Sequence, residues 1–356
     1  MMMKKIKKVS ALIALALVMC FLFTGCEGIG STILSALSLD VETEDPATIM
    51  VADIAGKTEK SSGNVSGDYK YTVYTDNTVC ITAYTGKDSR LSLPAEIDGM
   101  PVIGLENKAL MKNETVTELI FPDSLEVIGN YAVMYCDNLE KVTFGRNIAH
   151  IGVSAFEGTK KESHVGGGKL STLVFNGAPK VISEKAFYFC DDLSEIVLPN
   201  GVETISEWAF AKCFGAERII LPDSVKSIGD HAFLKCDSAK EVVIPGSCEY
   251  IDVSAFYQCT SIEKLTLGDG IKELRKGAFE ECSSLKEVVL PESLVTLGKY
   301  SFYNCTSLEK VTIGSATVNF EGDIFENADG LTVVAPESSA AAEYAQKNNF
   351  NIIFSE

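Results

Sequence analysis

The sequence has few histidines and little basic charge for its length. Its 356 residues include three histidines and one tryptophan, and 31 lysines and arginines stand against 49 acidic residues, for a net charge of −18. This acidic balance repels phosphate backbones and therefore disfavours nucleic acid as a partner. His150, His164 and His231 lie in unrelated contexts, and no Ser-His-Asp, Cys-His or metal-binding pattern stands out. We therefore expect a non-enzymatic protein with no cofactor and no metal.

The apolar run near the N-terminus, Val9 to Phe23, is short for a free-standing membrane span. It follows the basic segment Lys4 to Lys8, so residues 1–25 have the pattern of a secretory signal peptide. The run ends in Leu22-Phe23-Thr24-Gly25-Cys26, with small residues directly before a cysteine, which resembles the lipobox of bacterial lipoproteins. That resemblance implies cleavage before Cys26 and lipidation of the new N-terminus. An ordinary cleaved signal and an uncleaved anchor are the alternatives.

Residues 26–68 are expected to form a flexible tether. They show weak periodicity and include the polar tract Thr58 to Gly67. Several acyl chains on Cys26 would hold the protein stably at a bilayer, because each buried CH₂ contributes about 0.8 kcal/mol. The sequence thus predicts an exported protein, lipid-anchored at a cell membrane or outer surface.

One pattern returns every 23 residues from Ala109 to about Phe325. Its clearest copy has Ala186-Phe187, Cys190, Leu193, Ile196, Leu198-Pro199, Val202 and Ile205. The copies start at Ala109, Ala132, Ala155, Ala186, Ala209, Ala232, Ala255, Ala278, Ser301 and Ile324. A fixed period in the twenties indicates a solenoid, in which each repeat buries its apolar face only against its neighbours. The one step of 31 residues contains an insertion at 160–169, which predicts a surface loop that binding proteins often use.

Within a repeat, the segment Glu195 to Leu198 alternates polar and apolar residues. Stacked copies of this segment predict parallel strands roughly 4.8 Å apart, and nine of them would form a sheet about 40 Å long. Proline after the segment, as at Pro199, ends the strand because it cannot donate a ladder hydrogen bond. Val202 and Ile205 line the next side of the coil as a candidate second strand. The Ala209-Phe210 pair is expected in a short helical or 3-10 turn.

This pattern resembles the BspA-like, or Treponema-type, leucine-rich repeats of bacterial surface proteins over residues 69–356. The resemblance implies a leucine-rich repeat solenoid, that is, a right-handed curved parallel β-sheet coil with short turns. It also implies roles in attachment to other cells, matrix proteins or host receptors. We expect an N-terminal β cap with a hairpin at 69–108, the solenoid at 109–330 and a C-terminal cap of strand, helix and strand at 331–356.

Seven cysteines share one offset in the repeat and should form a row inside the coil: Cys136, Cys190, Cys213, Cys236, Cys259, Cys282 and Cys305. Equivalent side chains point the same way, which is poor geometry for disulfides. A row of metal sites is disfavoured because no Cys-x-x-Cys spacing is present and the histidines do not recur with the cysteines. We expect buried thiols that donate weak S–H hydrogen bonds to backbone carbonyls. Asn113 and Thr159, at the same offset, could make similar bonds.

Two stripes on the strands are expected to face solvent. One carries alternating charges, and opposite charges on neighbouring strands fix the register. The other, here called the β-branched stripe, is the candidate binding face and consists of Ile120, Thr143, Val174, Val197, Ile220, Val243, Thr266, Val289 and Thr312. A contiguous, partly apolar band of this kind marks interaction surfaces, although β-branched residues also simply suit strands.

Aromatic residues in the turns form a second candidate surface, with Tyr188, Trp208, Tyr257, Tyr300 and Tyr303 as its candidate contacts. Exposed Trp and Tyr are common interface anchors, and packing between turns is the alternative role. The leading interpretation is a protein that binds an extracellular, host or bacterial surface protein through its concave sheet. Carbohydrate or cell-wall recognition through the aromatic residues is the alternative, and a spacer that binds nothing is the third.

Overall fold

The computed structural model describes residues 51, 55–158 and 168–355. The proposed signal peptide, Cys26, residues 26–50 of the expected tether and residues 160–167 of the insertion lie outside the described residues. Thr159 also lies outside them.

The N-terminal cap is an antiparallel sheet of three strands, β1 (Glu59–Ser66), β2 (Tyr69–Tyr74) and β3 (Val79–Tyr84). The hairpin expected within residues 69–108 is confirmed as β2 and β3. The assignment of Glu59–Ser66 to a tether is wrong, because this segment turns back at Gly67 (φ 55°) and pairs with β2. Its polar composition is compatible with a strand because β1 is mostly exposed. Polarity alone therefore does not separate an edge strand from a tether.

The rest of the body is a coil of short strands. The cap continues with β4 (Arg90–Ser92), β5 (Glu96–Ile97) and β6 (Met100–Leu105). The repeats then contribute β7 (Glu118–Ile120), β8 (Val127–Ile128), β9 (Lys141–Phe144), β10 (His150–Ile151), β11 (Thr172–Phe175), β12 (Val181–Ile182), β13 (Ile196–Val197), β14 (Thr204–Ile205), β15 (Arg218–Ile220), β16 (Ser227–Ile228), β17 (Glu241–Ile244), β18 (Tyr250–Ile251), β19 (Lys264–Leu267), β20 (Glu273–Leu274), β21 (Glu287–Leu290), β22 (Thr296–Leu297), β23 (Lys310–Ile313) and β24 (Asn319–Phe320). The chain ends with β25 (Thr332–Pro336), helix α1 (Ala340–Lys347) and β26 (Asn351–Ser355).

Successive strands alternate between two sides of the coil. One side, called the short-strand side, is a continuous ladder in the order β1-β2-β3-β6, followed by the even-numbered strands from β8 to β24. The strand pairs from β6 to β24 along this ladder are parallel. This confirms the second strand expected around Val202 and Ile205. The long-strand side contains β4, the odd-numbered strands from β7 to β25, and β26. The expected fold class, a parallel β-solenoid with a β cap and a C-terminal helix, is therefore observed.

The long-strand side is not the single sheet that the repeat predicted. It is divided into three four-stranded sheets, β4-β7-β9-β11, β13-β15-β17-β19 and β21-β23-β25-β26. Strand pairing is interrupted between β11 and β13 and between β19 and β21, whereas the short-strand side continues past both points. The coil therefore keeps its stacking while the hydrogen-bonded ladder on one of its faces is interrupted twice.

The Ala-Phe segments are tight β-turns and not the helical or 3-10 turns that were expected. In one repeat, Ala209 N–H donates to Ser206 O at 3.3 Å and Ala211 N–H donates to Trp208 O at 3.1 Å. Trp208 (φ 59°) has left-handed backbone geometry, which stops a right-handed helix. Phe210 N–H instead donates to Ala232 O of the next coil at 2.8 Å. The turns are thus stacked on each other by hydrogen bonds, as the strands are.

The core is a continuous stack of phenylalanine rings. Neighbouring rings lie between 4.9 and 5.7 Å apart, centroid to centroid, with interplanar angles of at most 21°. The stack contains Phe156, Phe187, Phe210, Phe233, Phe256, Phe279, Phe302 and Phe325, and all of them are buried. One ring per coil therefore joins the repeats into a single core.

The C-terminal cap closes the last coil with the expected strand, helix and strand. Ser339 caps α1, because its Oγ accepts the Ala342 N–H at 3.2 Å. Ala341 and Ala345 are fully buried, and the Tyr344 ring stacks on Phe320 at 4.3 Å. The helix thus covers the apolar end of the stack, as its sequence indicated.

The stack predicts a large loss of stability when one ring is removed from its middle. Phe233→Ala should lower the free energy of unfolding by about 3 to 5 kcal/mol, because it leaves a cavity between two buried rings. Urea unfolding followed by circular dichroism measures the change. Val289→Ala, at an exposed strand position, is the control and should stay within about 0.5 kcal/mol of the parent. Equal effects of the two changes would contradict the role of the stack.

Candidate binding surface

The seven-cysteine row is a ladder of weak hydrogen bonds inside the coil. Each Sγ donates to the carbonyl at the Phe offset of the preceding repeat, at distances from 3.0 Å in Cys136 to 3.5 Å in Cys282. That carbonyl lies 26 positions earlier in six of the seven pairs and 34 positions earlier for Cys190, because the insertion falls between Phe156 and Cys190. All nine cysteines in the described part of the chain are free and buried. Burial raises the pKa of the Cys136 and Cys305 thiols to about 12, so both thiols stay protonated and neutral. The expected role is confirmed.

Asn113 occupies the same offset but bonds differently from the cysteines. Its Oδ1 accepts the N–H groups of Thr115 and Val116, both at 2.9 Å. Asn113 therefore bonds within its own turn, whereas the cysteines bond to the preceding coil. An asparagine oxygen competes well for local backbone donors, so the side chain closes its own turn.

The charged stripe forms ion pairs across strands. Arg218 reaches Glu195 at 3.6 Å and Glu241 at 3.4 Å, and Lys264 reaches Glu241 at 2.6 Å. Hydrogen bonds from Lys264 and then Arg218 lower the pKa of Glu241 below its usual value. In the first sheet, Glu118 pairs with Lys141 at 3.5 Å. These charges neutralise each other locally, so this part of the face does not form a trap for ions of one sign.

The β-branched stripe lies on the solvent side of the long strands, with its members in register. Val197 faces Ile220, Ile220 faces Val243, and Val289 faces Thr312 across neighbouring strands. Val289 is 64% exposed, Val197 is 46% exposed and Thr266 is also exposed. The other six members are half-buried.

The most exposed members of the stripe lie beside the two interruptions in strand pairing. Val197 is in β13, Thr266 in β19 and Val289 in β21, and these strands border the gaps. A groove of about 550 Å³ lies at the β19–β21 gap, between Thr266 and Val289, with Lys264, Glu287 and Lys310 at its sides. A smaller groove of about 150 Å³ lies at the β11–β13 gap. The face therefore combines apolar contacts with recesses.

Two members of the stripe were missed in the sequence. Val334 of β25 faces Thr312, and Ile353 of β26 faces Val334. Val334 is half-buried and Ile353 is 55% exposed. Both are β-branched, which was the available signal, but they fall after the last repeat and outside its period.

The aromatic candidates are half-buried and contact other side chains. Each of Tyr188, Trp208, Tyr257, Tyr300 and Tyr303 is intermediate in exposure. The Trp208 ring stacks on His231 at 4.4 Å with an interplanar angle of 1°. Tyr188 accepts a hydrogen bond from Lys212 at 3.0 Å, Tyr257 donates to Glu281 at 3.2 Å, and Tyr300 contacts Tyr303 at 5.0 Å. This geometry favours packing between turns.

Within residues 51, 55–158 and 168–355, no group of three His, Cys, Asp or Glu side chains is placed to hold a metal ion. No helix in this part of the chain has the length and apolarity needed to cross a bilayer.

A parallel β-solenoid with one buried phenylalanine per coil and a solvent-facing long-strand side has the architecture of a leucine-rich repeat protein. The family model described as BspA type leucine rich repeat region (6 copies) matches residues 103–213, 166–286 and 209–332. The chain belongs to this family.

Solved structures of leucine-rich repeat proteins are similar to this chain, and one of them shows the same fold with a TM-score above 0.5. A leucine-rich repeat protein from Bacteroides ovatus ATCC 8483 is 24% identical, with a TM-score of 0.58, over 76% of this chain and 70% of the other. A leucine rich cell surface protein from Faecalibacterium prausnitzii A2-165 is 21% identical, with a TM-score of 0.36, over 84% and 96%. A leucine rich repeat protein from T. pallidum is 20% identical, with a TM-score of 0.30, over 82% and 98%. No curated protein matches the chain.

The buried thiols should be almost inert in the folded protein. A pKa of about 12 for Cys136 and Cys305 leaves so little thiolate at pH 8 that reaction with a thiol reagent should be about a thousandfold slower than for an exposed cysteine. The measurement compares native protein with protein unfolded in denaturant, in a background with Cys20→Ala and Cys26→Ala. Val65→Cys supplies an exposed thiol as the control. Native cysteines that react as fast as the residue 65 thiol would contradict the buried ladder.

Proposed function

We propose that this protein is a non-enzymatic, exported binding protein that recognises an extracellular, host or bacterial surface protein. The long-strand side is the binding surface, and the β-branched stripe is its centre. The observation that carries the proposal is the groove at the interruption between β19 and β21. Thr266 of β19 and the 64% exposed Val289 of β21 both line this groove. An exposed valine beside a recess favours a partner that inserts an apolar residue.

The charges around this groove support a protein partner over a small anion. Glu263, Asp269, Glu287 and Glu292 outnumber Lys264 and Lys310 along its walls. Lys264 already forms an ion pair with Glu241 of the neighbouring strand within the sheet. A partner segment with an apolar anchor and basic flanks fits this arrangement, and charge complementarity would speed its association.

Carbohydrate recognition through the turn aromatics has less structural support. Sugar rings stack on open aromatic faces, but Trp208 is stacked on His231 and Tyr188 is engaged by Lys212. We therefore place recognition on the strands and assign the aromatic residues to packing between coils.

The proposed surface is tested by a charge placed on the stripe. Val289→Glu combined with Val197→Glu should reduce capture of a specific partner at least tenfold without unfolding, because carboxylates would be buried against an apolar anchor. The measurement is a pull-down from host and bacterial extracts, followed by affinity measurement with the captured protein.

Val295→Glu is the matched control, since Val295 is 55% exposed but lies just before β22 on the short-strand side. A partner lost with both variants alike, or retained by both, would exclude the long-strand side as the binding surface. Binding of a glycan that is abolished by Trp208→Ala alone would favour the carbohydrate alternative.

We also propose that Cys26 carries a lipid that anchors the protein at a membrane. Support comes from the Leu22 to Cys26 motif at the end of the apolar run. Cys26→Ala should abolish incorporation of labelled palmitate and release the protein from the membrane fraction. Cys20→Ala, six residues earlier in the same run, is the control and should leave labelling intact. Labelling that persists in Cys26→Ala would exclude lipidation at this position.

A further inference from the structure

The last strand of the long-strand side has an open edge. β26 pairs with β25 in parallel, from Asn351 opposite Thr332 to Ser355 opposite Pro336. No strand within the described residues lies along its other edge. Ile353 is 55% exposed and Phe354 is 50% exposed. The edge therefore presents unpaired backbone groups together with apolar side chains, which is a template for another strand.

The other terminal strands of this structure carry features that prevent such pairing. β1 contains Glu59, Lys60 and Gly63, and its register with β2 shifts twice. β4 has three residues, and its Arg90 pairs with Glu118 at 3.2 Å. β24 has two residues. Charge, bulges and short length all protect strand edges.

β26 has none of these protective features. It is five residues long, with the sequence Asn-Ile-Ile-Phe-Ser, and it contains no charge, proline or glycine. Its pairing with β25 is regular along its whole length. The contrast with β1 at the opposite end of the coil indicates that this edge is kept available for pairing.

We propose that β26 binds a second copy of this chain, antiparallel, about a two-fold axis through Ile353. The strand is complementary to itself in this arrangement. Asn351 meets Ser355 of the second copy, Ile352 meets Phe354, and Ile353 meets Ile353. No charges oppose each other, and the Ile–Phe pairs are of the aromatic and β-branched type that stabilises neighbouring strands.

The backbone hydrogen bonds fit the same axis. Asn351 N–H donates to Leu331 O at 3.0 Å, toward β25. Because backbone groups alternate in direction along a strand, those of Ile353 also face β25, while those of Ile352 and Phe354 face outward. In the proposed dimer, Ile352 and Phe354 form hydrogen-bonded pairs across the axis. The two Ile353 residues form the close, non-hydrogen-bonded pair, with Cα atoms about 4.5 Å apart.

The dimer joins two four-stranded sheets into one of eight strands. Its direct contact is a five-residue strand from each copy. An interface of this size lies at the small end of the range for specific complexes, so the dimer should be weak and concentration-dependent.

Disulfide trapping tests the axis and the register together. The experiment uses the full chain in detergent with Cys20→Ala and Cys26→Ala, so that an introduced cysteine is the accessible thiol. Ile353→Cys should form a covalent dimer under mild oxidation, because its Cα separation lies within the disulfide range. Phe354→Cys is the register control, since it is similarly exposed but opposes Ile352 of the second copy. Val65→Cys on β1 reports random collision.

Cross-linking at position 353 that exceeds both controls supports the dimer. Equal cross-linking at 353 and 354, or a yield at 353 no higher than at 65, overturns it. Sedimentation velocity over a concentration series gives a second measurement on the same background. Ile353→Lys should weaken self-association at least about tenfold, because like charges would meet on the axis. A parent chain that sediments as a monomer at every concentration also overturns the proposal.

Discussion

The structure depends on each coil covering the apolar edge of the next. The Phe187, Phe210 and Phe233 rings stack at 5.0 and 5.6 Å, and no ring in the middle of the coil has a core apart from its neighbours. The thiol of Cys213 bonds to the Phe187 carbonyl, so the same contact also satisfies a polar group of the preceding coil. Burial of apolar surface and satisfaction of backbone groups are therefore achieved together at every step.

Stacking of this kind places the variable part of the molecule on its faces. The inward positions of a repeat are held by ring, thiol and aliphatic contacts, which leave little freedom. The outward positions on the long strands tolerate Val, Ile or Thr, and the most exposed of these within the repeats lie where strand pairing is interrupted. A solenoid of this type recognises partners through a surface assembled from several repeats. The grooves at the interruptions add recesses to that surface, which a continuous sheet would lack.

The turns show how local and global requirements are combined. Left-handed residues such as Trp208 and Lys212 bracket the Ala-Phe pair and are not glycine. This geometry costs energy for a residue with a side chain. The hydrogen bonds between turns of neighbouring coils, such as Phe210 N–H to Ala232 O at 2.8 Å, offset that cost at every repeat. Serine adds a similar contact on another corner, because Ser224 and Ser247 each donate to a carbonyl of the preceding coil at 2.7 Å.

The sequence by itself determined the solenoid, the two strands per coil, the buried cysteine row and the helix of the C-terminal cap. These features follow from periodic burial, and a spacing of 23 residues records which positions face inward. Tertiary structure alone decided where the long-strand side is interrupted, because β19 and β21 have the same residue pattern as the strands that pair. It also decided that Glu59–Ser66 is a strand, since a polar segment becomes ordered only when a partner edge is present. The exposure of Ile353 at the end of the stack was likewise decided by which coil comes last, and no local pattern encodes that position.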